Sequence, residues 1–252
     1  MAPQTIDTTA FAEGISESAL FLDVDGSLID LAERPEDVAV PPDLVAALGR
    51  LSARVGGALA LVSGRAIADL DRLFAPLCLP AAGQHGLEWR AAPAGPVDRV
   101  AVDRLVLERL EAALRGYTGR DPGLRVEPKG AAVAIHYRLA PALGPDVIAF
   151  AESLMAEAPG WHAMVGKMVV ELKPAGVDKG AALDRFLAVS PFAGRRPLAL
   201  GDDVTDEDAF AAALRHGGAA IQVGDREPTV ATHRLTDPAA ARAWIAALAV
   251  AR

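Results

Sequence analysis

The sequence has almost no cysteine, few aromatic residues, no excess of positive charge and no long apolar run. Cys78 is the only cysteine in 252 residues. An intramolecular disulfide is therefore impossible, and nothing points to an oxidising compartment. Lys and Arg number 25 against 33 Asp and Glu, a formal net charge of −8, which argues against non-specific attraction to nucleic acid or an anionic membrane. No stretch of about eighteen apolar residues is present to span a bilayer. Residues 1–17 lack the basic start and apolar centre of a signal peptide. The expectation is a cytoplasmic monomer with neither nucleic acid nor membrane as partner. Aromatic residues make up 5% of the chain and hydrophobic residues 52%. Enough apolar material is present for one large core or two smaller ones, built mainly from Ala and Leu.

What is present is a regular alternation of short apolar runs and amphipathic stretches. "LFL" (20–22) reads as a buried strand, and "VPPDLVAALGRLSARVGG" as a helix opened by Pro41-Pro42 and stopped by Gly56-Gly57. "ALALVSGR" is a second strand followed by a helix from Ala66 to Phe74, and "LPAAGQHGLEWR" a further short strand with a Gly-rich turn. This β-α-β-α-β order predicts a mostly parallel sheet. The pattern changes at the Pro/Gly/Ala connector "AAPAGPVDRV". Helices near 102–115 and 145–157 then alternate with strand pairs "LRVEPK"/"AAVAIHYR" and "WHAMVG"/"MVVELKP", an αββαββ module with an antiparallel sheet. The β-α style returns with a helix from Lys179, the strand "RPLALGDD", a helix from Thr205, the strand "GAAIQVG" and a last helix near 238–250. The prediction is a Rossmann-like α/β parallel-sheet core, residues 1–98 and 175–252, interrupted by an α+β insertion, residues 99–174.

Carboxylates gather at two strand ends. In "LFLDVDGSLID" the apolar run ends at Asp23 and Asp25, and in "LALGDDVTDEDAF" at Asp202 and Asp203, with Asp206, Glu207 and Asp208 close behind. Ligands of open α/β sheets sit at the carboxyl ends of the strands. Ionised carboxylates brought together there are unfavourable unless a cation or a shared proton relieves them. Carboxylates with water and a substrate phosphate are the usual surroundings of Mg²⁺, so Mg²⁺ is the expected cofactor. Thr205 can cap the following helix, and Glu207 and Asp208 fit its first turn, where the macrodipole favours anions. Ser63-Gly64-Arg65 also ends a strand. Ser63 could donate to an anion and Arg65 grip it with two N–H groups, or Ser63 could simply cap the next helix. A lone lysine such as Lys179 at a helix start is, taken by itself, ordinary solvated surface.

Together these segments resemble the haloacid dehalogenase superfamily of aspartate-nucleophile phosphotransferases, whose four motifs match "DVDGS", Ser63, Lys179 and "GDD" in order. Within it the chain resembles the trehalose-6-phosphate phosphatases over nearly its whole length, through "LVSGR", "LPAAGQHGLEWR", "VEPKGAAVAIHYR", "VVELKPAGVDKGAAL" and "LALGDDVTDEDAF". Two departures from that pattern are Gln84 where Asn is common and Ser27 where Thr is common.

The resemblance implies that the insertion is a cap domain and that the substrate is a small sugar phosphate. It also implies an aspartyl-phosphate mechanism with Asp23 as nucleophile and Asp25 as acid and base, and with Ser63 and Lys179 stabilising the transferring phosphoryl group. Mg²⁺ would be held by Asp23, the Asp25 carbonyl and Asp202, with Asp203 and Asp206 acting through water or at one remove. Sugar contacts would come from His85, Gly86 and Glu88 on the core and from Lys129, His136, Arg138, Glu171 and Lys173 on the cap. Alternation in "AAVAIHYR" puts Ala132, Ala134, His136 and Arg138 on one face, equally readable as a saccharide floor or a solvated surface. A phosphatase for another sugar phosphate is the rival enzyme reading. A phosphorylatable receiver is disfavoured by Asp25 and the long insertion, and a binding module without catalysis by the completeness of the motifs.

Overall fold

The computed structural model describes residues 3–6, 11–30 and 38–250. In chain order the elements are β1 (Gln4–Thr5), β2 (Ser18–Leu22), α1 (Pro42–Arg54), β3 (Leu59–Val62), α2 (Ile67–Leu73), β4 (Ala81–Gly83), β5 (Glu88–Arg90) and β6 (Asp98–Arg99). They continue with α3 (Arg104–Thr118), β7 (Arg125–Pro128), β8 (Val133–His136), α4 (Gly144–Met155), β9 (Trp161–Gly166) and β10 (Val169–Pro174). The last are α5 (Lys179–Leu187), β11 (Arg196–Gly201), α6 (Asp206–Arg215), β12 (Ala219–Val223), β13 (His233–Leu235) and α7 (Pro238–Val250). Two compact units result: the chain up to Asp98 together with the chain from Asp178 onward, and Arg99–Val177.

The first unit is built on a nine-stranded sheet ordered β1-β13-β12-β11-β2-β3-β4-β5-β6. Neighbours from β1 through to β4 are parallel, and β5 turns back antiparallel on β4. From β2 the chain steps outward through β3 to β4; after the insertion it re-enters at β11 and steps the other way through β12 to β13. The order therefore reverses between β2 and β11, the switch point at which α/β sheets open a crevice at their carboxyl ends. All five residues of β2 and all four of β3 are buried, so both faces of the central strands are covered, as parallel sheets require. Small side chains dominate this core, with Phe21, Phe186 and Phe192 clustered at centroid separations of 4.8–5.9 Å.

"LPAAGQHGLEWR" contains two strands rather than one. A 3₁₀ turn over Gln84–Gly86 folds β5 back onto β4. Three short strands, β1, β6 and β13, were not anticipated from the sequence.

The second unit has a four-stranded antiparallel sheet, β7-β8-β10-β9. Leu107, Leu110 and Leu114 of α3 pack with Val147 and Ala151 of α4 against Val133, Ile135, Val170 and Leu172 of the sheet. Alternation then assigns Ala134, His136, Glu171 and Lys173 to the opposite face. Arg138 is not on that face. β8 ends at His136, and Arg138 stands exposed in the following turn. Among the described residues no helix is long and apolar enough to cross a membrane.

Candidate active site

Asp23 follows β2 directly, and its N–H donates to the carbonyl of Leu200 in β11 at 2.9 Å. The first carboxylate is thus pinned to the strand that carries the second group of acids. Oxygens of Asp23, Asp202 and Asp206 lie within 4.8 Å of one another. Lys179, the first residue of α5, is buried rather than solvated. Its Nζ donates to Oδ1 of Asp23 at 2.6 Å and to Oδ1 of Asp206 at 2.7 Å. Burial alone would lower the pKa of this ammonium, but Asp206 and Asp23 outweigh it and hold the group charged, above the ordinary lysine range.

Three carboxylates facing one ammonium leave negative charge uncompensated. Burial, and then repulsion from Asp23, push Asp202 up to about 8 and Asp206 up to about 7. The fully buried Ser27 shows the same shortage of cations: its Oγ lies 2.7 Å from Oδ2 of Asp23 and 2.9 Å from Oδ1 of Asp202. One hydroxyl hydrogen cannot donate to both, so these two carboxylates are left short of positive partners. A hard divalent cation suits this oxygen-only donor set. Room for the acids depends on Gly26, whose φ is +82° and whose hypothetical Cβ would stand 2.4 Å from Oδ2 of Asp202.

Asp203 is exposed and accepts from the Val204 N–H at 2.7 Å, so its carboxylate is not part of the cluster. Asp206 is. Its Oδ2 also accepts the N–H groups of Asp202 and Asp203 at 3.1 and 3.0 Å, shaping the loop above α6. Thr205 makes no side-chain cap. Glu207 does more than complement a helix dipole, because it pairs with Arg226 and accepts from the Val230 N–H at 2.9 Å.

The side chain of Asp25 is gripped by the fork of Arg65, with Nε 2.7 Å from Oδ2 and Nη2 2.6 Å from Oδ1. That hydrogen bond is the main cause of a raised Arg65 pKa. Ser63 does not cap α2. Its Oγ accepts from the Arg65 N–H at 3.2 Å, while the Ile67 N–H at the start of α2 is taken by Oε2 of Glu88 at 2.8 Å. Glu88 is thereby given a structural task under the loop. Gln84 and His85 both adopt left-handed backbone, φ +50° and +53°. Their N–H groups bond the carbonyls of Arg65 and Ser63, and Gly86 completes the turn. His85 is set close over Gly64, where a Cβ would meet its Nε2 at 2.7 Å.

In the second unit, Lys129 Nζ donates to Oε2 of Glu171 at 2.8 Å. Glu171 is 3% exposed, and its other oxygen, Oε1, is buried without a hydrogen-bond partner. Lys173 is equally buried. His136 Nε2 is 2.7 Å from Oε2 of Glu127, both side chains being exposed. The hydrogen bond from His136 holds Glu127 below the usual carboxylate range.

Fold and site together define a phosphatase built on a parallel α/β core. The chain belongs to the trehalose-phosphatase family, whose profile matches residues 21–239. A probable trehalose-phosphate phosphatase of Sinorhizobium fredii is 47% identical over 244 residues, 96% of this chain and 91% of that protein. The trehalose-6-phosphate phosphatase of Escherichia coli is 38% identical over 206 residues, 82% of this chain and 77% of that one. In fold, the chain is similar to the C-terminal domain of the C. albicans trehalose-6-phosphate phosphatase, with a TM-score of 0.86 at 23% identity, covering 98% and 99% of the two chains.

Proposed function

We propose that this protein hydrolyses trehalose 6-phosphate to trehalose and phosphate, with Mg²⁺ as cofactor and Asp23 as nucleophile. The observation that carries the reading is the meeting of Asp23, Lys179, Asp202 and Asp206 at the switch point of the sheet. Asp23 and Asp202 would hold the ion with the Asp25 carbonyl, Asp206 lending negative charge beside them. A bound Mg²⁺ supplies charge neutralisation between an anionic nucleophile and an anionic phosphate.

An Asp23 oxygen attacks phosphorus, the bond from phosphorus to the sugar oxygen breaks, and protonated Asp25 delivers its proton to that departing oxygen. Asp25, now ionised, takes a proton from a water molecule. The water oxygen bonds to phosphorus, and Asp23 leaves as a free carboxylate. Lys179 and Ser63 stabilise the charge on the phosphoryl oxygens. Arg65 holds Asp25 as a carboxylate by both oxygens here, so it has to release one of them for Asp25 to carry the proton, which frees the guanidinium to turn toward the arriving phosphate.

The test is phosphate release from a panel containing trehalose 6-phosphate, sucrose 6-phosphate, mannosylglycerate phosphate and glucose 6-phosphate, with and without Mg²⁺. Trehalose 6-phosphate is expected to give the highest kcat/KM, and excess chelator to reduce turnover to background. Full activity in chelator would remove the metal from the mechanism. A better substrate elsewhere in the panel would replace the proposed one.

We also propose that the second unit reads the sugar. The core groups act on any phosphate monoester, so selectivity has to come from polar groups that the chemistry does not use. Lys129 and Glu171 are the leading pair, supported by the vacant acceptor Oε1 of Glu171. Lys129→Ala or Glu171→Ala is expected to lower kcat/KM for trehalose 6-phosphate by about ten- to two-hundred-fold, the loss of roughly 1–3 kcal/mol. Hydrolysis of p-nitrophenyl phosphate, which has no sugar, should be almost unchanged. An equal fall on both substrates would assign these residues to the fold instead.

A further inference from the structure

The loop after β12, residues 224–230, is joined to the loop that carries Asp202 and Asp203 by one side chain. Nε of Arg226 donates to the carbonyl of Asp202 at 3.2 Å, and Nη2 lies 3.5 Å from the carbonyl of Asp203 while pairing with Oε1 of Glu207. Nη1 donates to the carbonyl of Pro228 at 2.8 Å. The base of the arginine is held too, since Nε2 of the buried Gln222 donates to the Arg226 carbonyl at 2.6 Å. Glu207 is fixed in turn by the Val230 N–H.

Asp202 and Asp203 are therefore gripped from two sides. Their N–H groups go to Asp206, and their C=O groups go to Arg226. The peptide group between Asp202 and Asp203 is held at both poles, its C=O by Arg226 and its N–H by Asp206, so it cannot rotate without breaking a bond on each side, and the direction of the Asp202 carboxylate follows from that backbone. Asp206 belongs to the acidic cluster itself. Arg226 does not, because its bonds go to main-chain oxygens and to Glu207. The fork needs arginine: a lysine ammonium is a compact charge that cannot span carbonyls and a carboxylate in fixed directions.

We propose that Arg226, held by Glu207, is a positioning residue for the metal site, setting the orientation of Asp202 and through it the affinity for Mg²⁺. This rests on the reading of Asp23, Asp202 and Asp206 as the metal site. Partners that orient metal ligands are typically worth about 10- to 100-fold in affinity.

The experiment is calorimetric titration of Mg²⁺ into wild type, Arg226→Met, Arg226→Lys and Glu207→Gln, with steady-state kinetics at saturating Mg²⁺ on the same preparations. Arg226→Met is expected to weaken Mg²⁺ binding by about 10- to 100-fold. Its kcat and its KM for the sugar phosphate at saturating metal should stay within about threefold of wild type. Arg226→Lys should fall between the two, and Glu207→Gln should weaken binding less than Arg226→Met. The double variant Arg226→Met/Glu207→Gln should be no worse than Arg226→Met, because both residues act through one contact. Unchanged Mg²⁺ affinity in folded variants overturns the proposal, as does a loss of kcat at unchanged affinity. If Arg226→Met does not fold, Arg226→Lys and Glu207→Gln decide on the same criteria. Failure of the wild type to bind Mg²⁺ would overturn the metal reading and this role with it. Equal binding by wild type and all variants would overturn this role alone.

Discussion

Replacing Asp23 by Asn is expected to lower phosphate release by about ten-thousand-fold or more, as loss of a covalent nucleophile does. The carboxylate is 5% exposed, with one oxygen on Lys179 and the other on Ser27. An amide of the same shape can keep both contacts: its oxygen accepts from Lys179, and its NH₂ donates to a reoriented Ser27 hydroxyl. The fold should therefore survive. Metal-free Asp23→Asn should melt no lower than metal-free wild type, because repulsion from Asp23 is part of what raises Asp202 and Asp206. The check is a phosphate-release time course alongside thermal melts, with mass spectrometry to exclude deamidation back to Asp. Appreciable turnover by a clean preparation would end the covalent mechanism. A low melting temperature would mean that the charge of Asp23 is needed by the fold.

Lys179→Met should be as damaging, and to stability as well. The ammonium is buried between Asp23 and Asp206, and removing one partner of a buried ion pair costs about 3–5 kcal/mol. The loss should depend on pH in a definite direction. Asp206 stands at about 7 even with Lys179 beside it, and goes higher once the ammonium is gone. A carboxyl whose folded pKa lies above its unfolded value supports the fold at low pH and loses that support as pH rises through the folded pKa. The deficit relative to wild type should thus be smallest near about pH 5 and largest near about pH 8. Urea unfolding in chelator at both pH values measures this. An equal deficit at both would show that Lys179 matters for packing and not for charge.

The central strands were legible because each is an apolar run closed by Gly or acid. The same runs located Asp23, Ser63 and Asp202, since strand ends are where the chain turns its chemistry outward. β13, by contrast, is three residues long, "HRL", too short for any periodicity to show, and it exists because β12 and β1 pair with it. The Gly-rich turn in "LPAAGQHGLEWR" was legible, but the second strand that it folds back was not, because the left-handed backbone there falls also on Gln84 and His85, which do not signal it. Arg138 was misplaced by carrying alternation past the end of β8, which only the tertiary fold determines. Glu207 read locally as part of a dipole-matched helix start behind Thr205, and Asp206 as a metal contact through water or at one remove. Their real partners are Lys179, 27 residues before Asp206, and Arg226, 19 residues after Glu207. No rule of local spacing reaches that far.

The pairing of β2 with β11 also constrains the order in which this protein can come into being. Ser18 stands opposite Arg196 and Leu22 opposite Leu200, and the bond from Lys179 to Asp23 closes a separation of 156 residues. A nascent chain emerging from the ribosome therefore holds β2 with one edge unpaired throughout synthesis of the whole insertion. The insertion, whose sheet and helices draw on residues 99–177 alone, has all its partners in hand before β11 appears. Pairings so distant in sequence are slow to form, and an open apolar strand edge invites wrong associations while it waits. The groups around Asp23 thus come together only after the whole insertion has been made, and a chain that stalls or ends before β11 leaves an aggregation-prone half-sheet instead of a weakened enzyme.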